Sequence, residues 1–272
     1  MAARLIFVLA ALQAAPILAQ SSYDRYGSAR SSALGYAATA LAGDAGSHVN
    51  PALRALHAQP VAVVFARESF GLSPLRYGTA HVALPLNGVV ASGGAGTFGF
   101  SDYRELHVNL GAARSVQLGT TRSLHLGLNL RYHHLRIPDY GRGGALAVNA
   151  GIAAEVLPPL LLGAHATNLL GAALASTIPV PQTLAVGLGY LASPDVWVLA
   201  DVVKDLDAPV SLRGGLEILL LDLLALRTGV ATQPRRWTAG TGVAVGGLSA
   251  DLAAERHPEL GWSPSAALTI RW

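Results

Sequence analysis

Apolar and polar residues alternate along most of this chain with a period of two. The clearest segment is SLHLGLNLRYHH (123–134), in which leucines and a tyrosine alternate with His, Gly, Asn and Arg. The same division recurs in ELHVNLG (105–111), VSLRGGLEI (210–218) and LSADLAAE (248–255). Successive side chains of a strand point to opposite faces, so the pattern predicts strands with one apolar and one polar face.

Strand candidates follow one another from Val61 to Trp272. Segments of about ten residues have the length of strands that cross a bilayer at a tilt, and an even number suits a single-chain barrel. A soluble β-sandwich also alternates, although strands of this length are long for one. We therefore predict an all-β fold, a transmembrane antiparallel β-barrel of about fourteen strands at residues 61–272, with about twelve strands and a soluble sandwich as the alternatives. The candidates are 61–70, 76–85, 89–101, 104–115, 122–136, 144–156, 159–168, 183–192, 195–204, 209–219, 223–232, 236–246, 248–256 and 264–272.

Glycine, proline and polar residues separate these candidates. Tight turns are predicted at 86–88, 193–195 and 246–247, where Asn-Gly, Pro-Asp and Gly-Gly occur. Longer loops are predicted at 138–144 and 169–181. In an outer-membrane barrel, short turns face the periplasm and longer loops face outward.

The N-terminus has the form of a secretory signal. In MAARLIFVLAALQAAPILAQ, Arg4 precedes an apolar stretch from Leu5 to Leu12, and the small residue Ala19 precedes Gln20. We predict cleavage near Ala19 and exclude residues 1–19 from the fold. A cleaved signal followed by a barrel predicts export to the outer membrane of a Gram-negative-type cell, with its lipid as the surrounding partner.

The composition narrows the class of protein further. The chain contains no cysteine, so an exported protein of this kind must depend on a large closed architecture rather than on disulfides. Only 13% of residues are charged and mean hydropathy is +0.41, which favours a lipid-facing exterior. The net charge of +3 comes from scattered basic residues, so no nucleic-acid partner is predicted.

The last strand, AALTIRW (266–272), ends on an aromatic residue. In a closed barrel this strand pairs with the first one, which leaves Trp272 at the membrane interface. The pattern resembles the C-terminal signature of outer-membrane barrels that the barrel-insertion machinery recognises. We therefore predict that Leu268, Ile270 and Trp272 form the insertion signal.

The polar strand faces carry charges of both signs, which we assign to the barrel lumen. Mixed signs predict internal salt bridges that brace the barrel or hold an internal segment. The predicted lumen network comprises His107, Asn129, Arg131, Arg213, Glu217, Arg227, Asp251 and Glu255.

The sequence shows no recognisable metal-binding, catalytic or phosphate-binding motif. The histidines include no HxxxH or HExxH arrangement, and no carboxylate has diagnostic spacing for a metal. No GxSxG occurs, and GGAGTFG (93–99) lacks the lysine and following helix of a phosphate-binding loop. We predict no metal, no cofactor and no enzymatic activity.

One segment before the first strand has a different character. SARSSALGYAATALAGDAGSHVNPALRAL (28–56) is rich in Ala and Gly and lacks strand alternation. It resembles the N-terminal region of the PorV/PorQ group of FadL-like outer-membrane barrels, with matching positions Gly35, Asp44, Asn50, Pro51 and Ala52. Leu53 stands where that group often has glycine, and the resemblance continues through STIPVPQTLAVGLGY (176–190) and the later strands. Asn50 is expected to cap a short helix in PALRALHA.

The resemblance implies both a plug and a function. Residues 20–60 are expected to enter the lumen as a plug or hatch, the alternative being a tail on the barrel rim. The main functional expectation is an accessory or shuttle component of type IX secretion that binds exported proteins or other secretion components. The alternative is a FadL-like passive transporter of hydrophobic small molecules or fatty acids. An apolar pocket favours transport, whereas a filled polar lumen with a groove of outer loops favours interaction.

Overall fold

The computed structural model describes residues 27–45, 49–119, 122–174 and 178–272. The predicted signal at residues 1–19 lies outside these ranges, as do residues 20–26 of the predicted plug. No helix in the described ranges has the length and apolar character needed to span a membrane.

Fourteen antiparallel strands close into one barrel. Strands of the barrel that follow one another along the chain are neighbours in its wall. The last strand, β16 (Gly261–Arg271), closes the barrel against the first, β1 (Val61–Glu68), from Arg271 opposite Val61 to Ser265 opposite Arg67. The predicted fold class and the count of fourteen are therefore confirmed. The strands are β1 (Val61–Glu68), β2 (Arg76–Leu86), β3 (Val89–Phe100), β4 (Tyr103–Gln117), β5 (Ser123–Ile137), β6 (Gly141–Leu157), β7 (Leu160–Thr167), β8 (Ala173–Leu174), β9 (Ile178–Pro179), β10 (Thr183–Ser193), β11 (Val196–Asp205), β12 (Ser211–Leu220), β13 (Leu224–Thr232), β14 (Arg235–Val245), β15 (Leu248–His257) and β16 (Gly261–Arg271).

Within the described residues, four short helical elements and a small hairpin accompany the barrel. Strands β8 and β9 pair only with each other, in the connection between β7 and β10. The helical elements are α1 (Ala29–Ala33) and three 3-10 helices at Pro51–Leu56, Ser69–Gly71 and Ser73–Leu75.

The apolar face of each strand is the outer face of the barrel. On β5, Leu128 is 59% exposed while Arg131 is 2% exposed, and the alternation holds along the strand. The outward leucines do not meet in a core, which excludes the soluble sandwich. A continuous apolar exterior of this kind is suited to a bilayer.

The two ends of the barrel differ in their connections. The end with the turns at Asn87-Gly88, Pro194-Asp195 and Gly246-Gly247 is called the short-turn rim. The opposite end, with the connections at 69–75 and 168–182, is called the long-loop rim. Asn87 and Gly88 both have positive φ, at 47° and 84°, as a two-residue type I′ hairpin turn requires.

The predicted longer loop at 138–144 is wrong. β5 ends at Ile137 and β6 begins at Gly141, so only three residues connect them. Gly143 and Gly144 belong to the ladder rather than to a loop, because the ring of Tyr132 lies over Gly144 and takes the space of a side chain. The predicted loop at 169–181 corresponds to the connection that carries β8 and β9.

Candidate functional site

The N-terminal segment, residues 27–45 and 49–59, contacts opposite walls of the barrel from the inside. Helix α1 packs against β13 to β16, whereas the 3-10 helix at Pro51–Leu56 packs against β3 to β6. Most of the segment is buried, including Leu34 and Ala37 with no exposed surface. The lumen is therefore filled by the chain's own residues.

Helix α1 is short and depends on its cap. The Ser28 side chain accepts a hydrogen bond from the Ser31 amide, and the Ser31 side chain accepts one from the Ser28 amide. Ser28 Oγ also donates to Asp44 Oδ2 at 2.6 Å. Asp44, one of the motif residues, thus ties the later part of the segment to the start of α1.

Asn50 joins three parts of the molecule. Its Oδ1 accepts from the Ala52 amide at 3.0 Å and caps the 3-10 helix, which has Pro51 in its first turn. Its Nδ2 donates to the carbonyl oxygens of Thr39 at 2.8 Å and Ile152 at 3.2 Å. The Asn-Pro-Ala motif therefore fixes the segment both to itself and to β6.

Gly35 allows the segment to press against the wall. It has a φ of 66°, and a Cβ there would lie 2.6 Å from the Val230 amide nitrogen. On the facing strand β13, a Cβ on Gly229 would lie 2.2 Å from the Gly35 nitrogen. Such distances are too short for real atoms, so both positions require glycine.

A chain of alternating charges connects the segment to three strands. Arg30 donates from Nη2 and Nε to Glu217, at 2.6 and 2.8 Å. Arg227 donates to the same carboxylate and, at 2.6 Å, to Asp251. Burial disfavours the charged form of Arg30, but the stronger combined effect of Glu217 and nearby acids raises the pKa of its guanidinium above the ordinary value.

A second cluster is centred on Glu255, which is 1% exposed. Its Oε2 accepts from Tyr36 Oη at 2.6 Å and from Arg67 at 3.1 Å. Arg236 lies 3.4 Å from Oε1, and its guanidinium stacks 4.8 Å from the Tyr36 ring centre. The cluster fixes one more residue of the segment to the wall through charge-assisted hydrogen bonds.

The predicted lumen network is divided between separate groups. Glu217, Arg227 and Asp251, together with Arg30, are called the first cluster. Glu255 is the centre of the second cluster. The other four also face inward and are buried: His107 stacks on Tyr77, Asn129 accepts from Asn149, and Arg131 and Arg213 lie on β5 and β12.

At the end of the chain, Ile270 and Leu268 point outward and Trp272 is 61% exposed, and their role as an insertion signal stays a prediction.

Asp201 is one of several residues in the contacts of the N-terminal segment that the sequence analysis did not single out; Arg30, Tyr36, Arg67 and Arg236 are the others described above. Its Oδ2 accepts hydrogen bonds from the amides of Ala38 and Thr39, both at 2.9 Å. The inward neighbours on β11, Leu199 and Val203, are apolar. The available signal was an acidic residue between two apolar residues on the inward face of β11.

Asp201→Ala is expected to free the amides of Ala38 and Thr39. Without their acceptor, their hydrogen exchange should accelerate by about tenfold, because a net hydrogen bond to a charged group contributes about 1.5 kcal/mol or more. Asp201→Asn keeps one acceptor oxygen and should give an intermediate rate. Exchange measured by mass spectrometry on the detergent-solubilised protein checks this, and equal protection in all three proteins would contradict it.

Two concavities of the described residues adjoin the barrel wall and the filled lumen. A polar cavity of about 200 Å³ opens at the short-turn rim and is lined by the charged residues of the first cluster together with Asp44 and Arg271. An apolar depression of about 600 Å³ lies on the outer wall across β6, β7, β10 and β11. It is lined mainly by Ala150, Ile152, Ala164, Ala166, Leu184, Val186 and Val202.

No protein-family model and no curated protein matches the chain. Solved structures do resemble it. The toluene transporter TbuX of Ralstonia pickettii superposes with a TM-score of 0.65 at 12% identity, over 92% of this chain and 100% of that one. The toluene transporter TodX of Pseudomonas putida gives 0.62 at 12%, over 90% and 96%, and a FadL homologue of Pseudomonas aeruginosa gives 0.58 at 12%, over 93% and 98%.

These likenesses define the class of fold as a transmembrane β-barrel of outer-membrane type. Within that class, the chain shares its fold with the two toluene transporters and the FadL homologue. Its placement in the PorV/PorQ group stays a prediction that none of the comparisons tests.

Proposed function

We propose that this protein is a FadL-like outer-membrane channel for hydrophobic small molecules, in which the N-terminal segment is the plug. The observation that carries the proposal is the apolar depression on the outer wall. Concave apolar surface with few polar groups is the usual form of a site for a hydrophobic ligand. The fold is shared with proteins described as toluene transporters, which supports the same class of substrate here.

The wall behind the depression is thin and is backed by the plug. Its inward side includes Gly151 and Gly163, which have no side chains to separate β6 and β7 from the segment. A Cβ on Gly151 would lie 2.0 Å from Asn50 Oδ1, and one on Gly163 2.2 Å from the Thr39 oxygen. Movement of the plug at Asn50 would therefore open space in the lumen directly behind the depression.

The filled lumen argues against a permanently open aqueous pore. Both charge clusters and Asp201 hold the segment by hydrogen bonds, so passage requires the segment to shift. In this arrangement the short-turn rim faces the periplasm and the long-loop rim faces outward, as in other outer-membrane barrels.

Uptake of radiolabelled toluene by cells that lack their own hydrocarbon channel tests the proposal. Cells producing the protein should take up toluene several-fold faster than cells with an empty vector. Ala164→Trp, which fills the depression, should reduce that gain by roughly fivefold or more because overpacking removes the ligand's space. Ala112→Trp, an outward alanine on β4 away from the depression, is the matched control and should keep the gain.

Uptake equal to that of the empty vector would overturn the channel proposal. Loss of uptake in both tryptophan variants would show that the effect of Ala164→Trp is not specific, and the depression would then have no support as part of the transport route. Heat-modifiable migration on gels establishes that each variant has formed a closed barrel.

A second candidate function is the type IX secretion accessory role that the PorV/PorQ resemblance implies. The specific observation in its favour is the filled, polar lumen, which suits a barrel that binds partners rather than conducts. The loop surface is small, however, because the connections at 69–75 and 168–182 are the only long ones at that rim among the described residues. Affinity isolation from native membranes separates the two, since recovery of secretion components supports this role and bound hydrophobic molecules support the channel.

A further inference from the structure

Three arginines lie side by side on the outer wall at the long-loop rim. Arg104 on β4 is the register partner of Arg136 on β5, and Arg136 is the partner of Arg142 on β6. All three are exposed and share the outward parity of the apolar residues below them. Adjacent strands are about 4.8 Å apart, so the three guanidinium groups can converge on one anion. This set is called the arginine row.

The arginine row is unfavourable without an anion. Like charges directly opposite each other on neighbouring strands are destabilising. Two other outward cations at this rim have partners, since Arg76 pairs with Glu68 at 2.9 Å and Arg256 lies 5.8 Å over the Trp262 ring. For the arginine row, no carboxylate within the described part of the chain lies at ion-pair distance.

The surface below the arginine row changes from polar to apolar in steps. The next outward residues on β5 are His134 and Tyr132, whose rings stack with 6.5 Å between their centres. From Tyr132 down to Leu124 the outward residues are apolar, which covers roughly 20 Å of membrane depth for a strand tilted by about 40°. Arg136 lies roughly 10 Å beyond Tyr132 on the same scale, at the depth of lipid head groups.

We propose that the arginine row binds the phosphate of a phosphorylated lipid in the outer leaflet. Arginine forms paired hydrogen bonds to phosphate oxygens, and three adjacent guanidinium groups offer enough donors for a phosphate with two charges. The aromatic pair lies at the level of the sugar or glycerol group, and the acyl chains run along the outward leucines. The inference requires an outer-membrane barrel but does not depend on channel activity.

Native mass spectrometry of the full-length protein in detergent tests the site, with bisphosphorylated lipid A as the probe. The row variant carries Arg104→Gln, Arg136→Gln and Arg142→Gln. It should bind the probe at least about tenfold more weakly than the wild type, because each charge-assisted contact contributes more than a neutral one. Dephosphorylated lipid A should bind both proteins equally weakly.

A matched control removes the same charge from separated positions of the same rim: Arg76→Gln, Lys204→Gln and Arg235→Gln. Both variants lose three positive charges, so any effect of general charge attraction is the same in both. The control keeps the arginine row and should therefore bind lipid A within about twofold of the wild type. The proposal would be overturned if both variants lost the same amount of affinity for lipid A. It would also be overturned if the wild type bound dephosphorylated lipid A as tightly as bisphosphorylated lipid A. Displacement of lipid A by low millimolar inorganic phosphate would also overturn it, because the site would then select the free ion.

Thermal unfolding without lipid gives a readout independent of binding. Arg136→Gln alone should leave the melting temperature equal or higher in lipid-free detergent, because it relieves the repulsion in the arginine row. Lipid A should stabilise the wild type more than this variant. A variant that is less stable without lipid would mean that Arg136 has an ordinary structural role.

Discussion

Gly229→Val is expected to expel the N-terminal segment from its position on the wall and to open the barrel to ions. Even a Cβ at Gly229 would lie 2.2 Å from the Gly35 nitrogen and 2.3 Å from the Leu34 carbonyl carbon. These are backbone atoms held from several sides, so the added side chain has no flexible neighbour to displace. Overpacking of this kind costs about 1–3 kcal/mol, which shifts the balance between plugged and open barrels by roughly fivefold to 150-fold.

Conductance in planar bilayers measures this effect directly. Gly214→Val is the matched control, because it adds the same side chain to the neighbouring strand on the outer face, where the nearest atom to a Cβ is 3.8 Å away. The control should stay as closed as the wild type. If Gly229→Val also stays closed while forming a heat-modifiable barrel, the close contact between Gly35 and Gly229 does not hold the plug.

Glu217→Ala is expected to cause the second large effect. The carboxylate is shared by Arg30 of the plug and Arg227 of the wall, so its removal leaves two mostly buried guanidinium groups without their shared partner. Breaking a buried pair in this way typically costs about 3 kcal/mol or more. We expect a lower urea midpoint for refolded protein in detergent, together with faster protease cleavage in the N-terminal segment.

A double-mutant cycle separates plug docking from general damage to the wall. Arg30→Ala should lose most of the same docking energy, and the double variant with Glu217→Ala should lose little more, which gives a coupling of about 1 kcal/mol or larger. Arg76→Ala with Glu68→Ala is the control cycle, since that pair is on the exterior. Additive losses at Arg30 and Glu217 would show that the plug is not held through this contact.

The sequence predicts the barrel well because each strand obeys one local rule. Strand side chains alternate regardless of what they contact, so the outward leucines and the inward Arg131 of β5 can be assigned before any contact is known. The rule fails at Gly143 and Gly144, where glycines suggest a loop but the ring of Tyr132 supplies the missing bulk. The ring belongs to a residue of the adjacent strand, so its effect on Gly144 cannot be inferred from the composition around the glycines.

The candidate site was only partly predictable for the same reason. Glu217, Arg227 and Asp251 lie on strands, and their parity was sufficient to place them inward. Arg30 lies in a segment without alternation, and its contact with Glu217 spans 187 positions along the chain. Partners at that separation are fixed by the closed barrel and not by nearby residues.

The path of the N-terminal segment has a consequence for how the protein is assembled. Residues near position 30 leave the ribosome before all of the wall, yet they bind Glu217, Thr238 and Glu255 on strands made near the end of synthesis. Contacts so distant in sequence form late, after the intervening chain has been ordered. The part of the folded chain that is synthesised first therefore depends for its position on the part that is synthesised last.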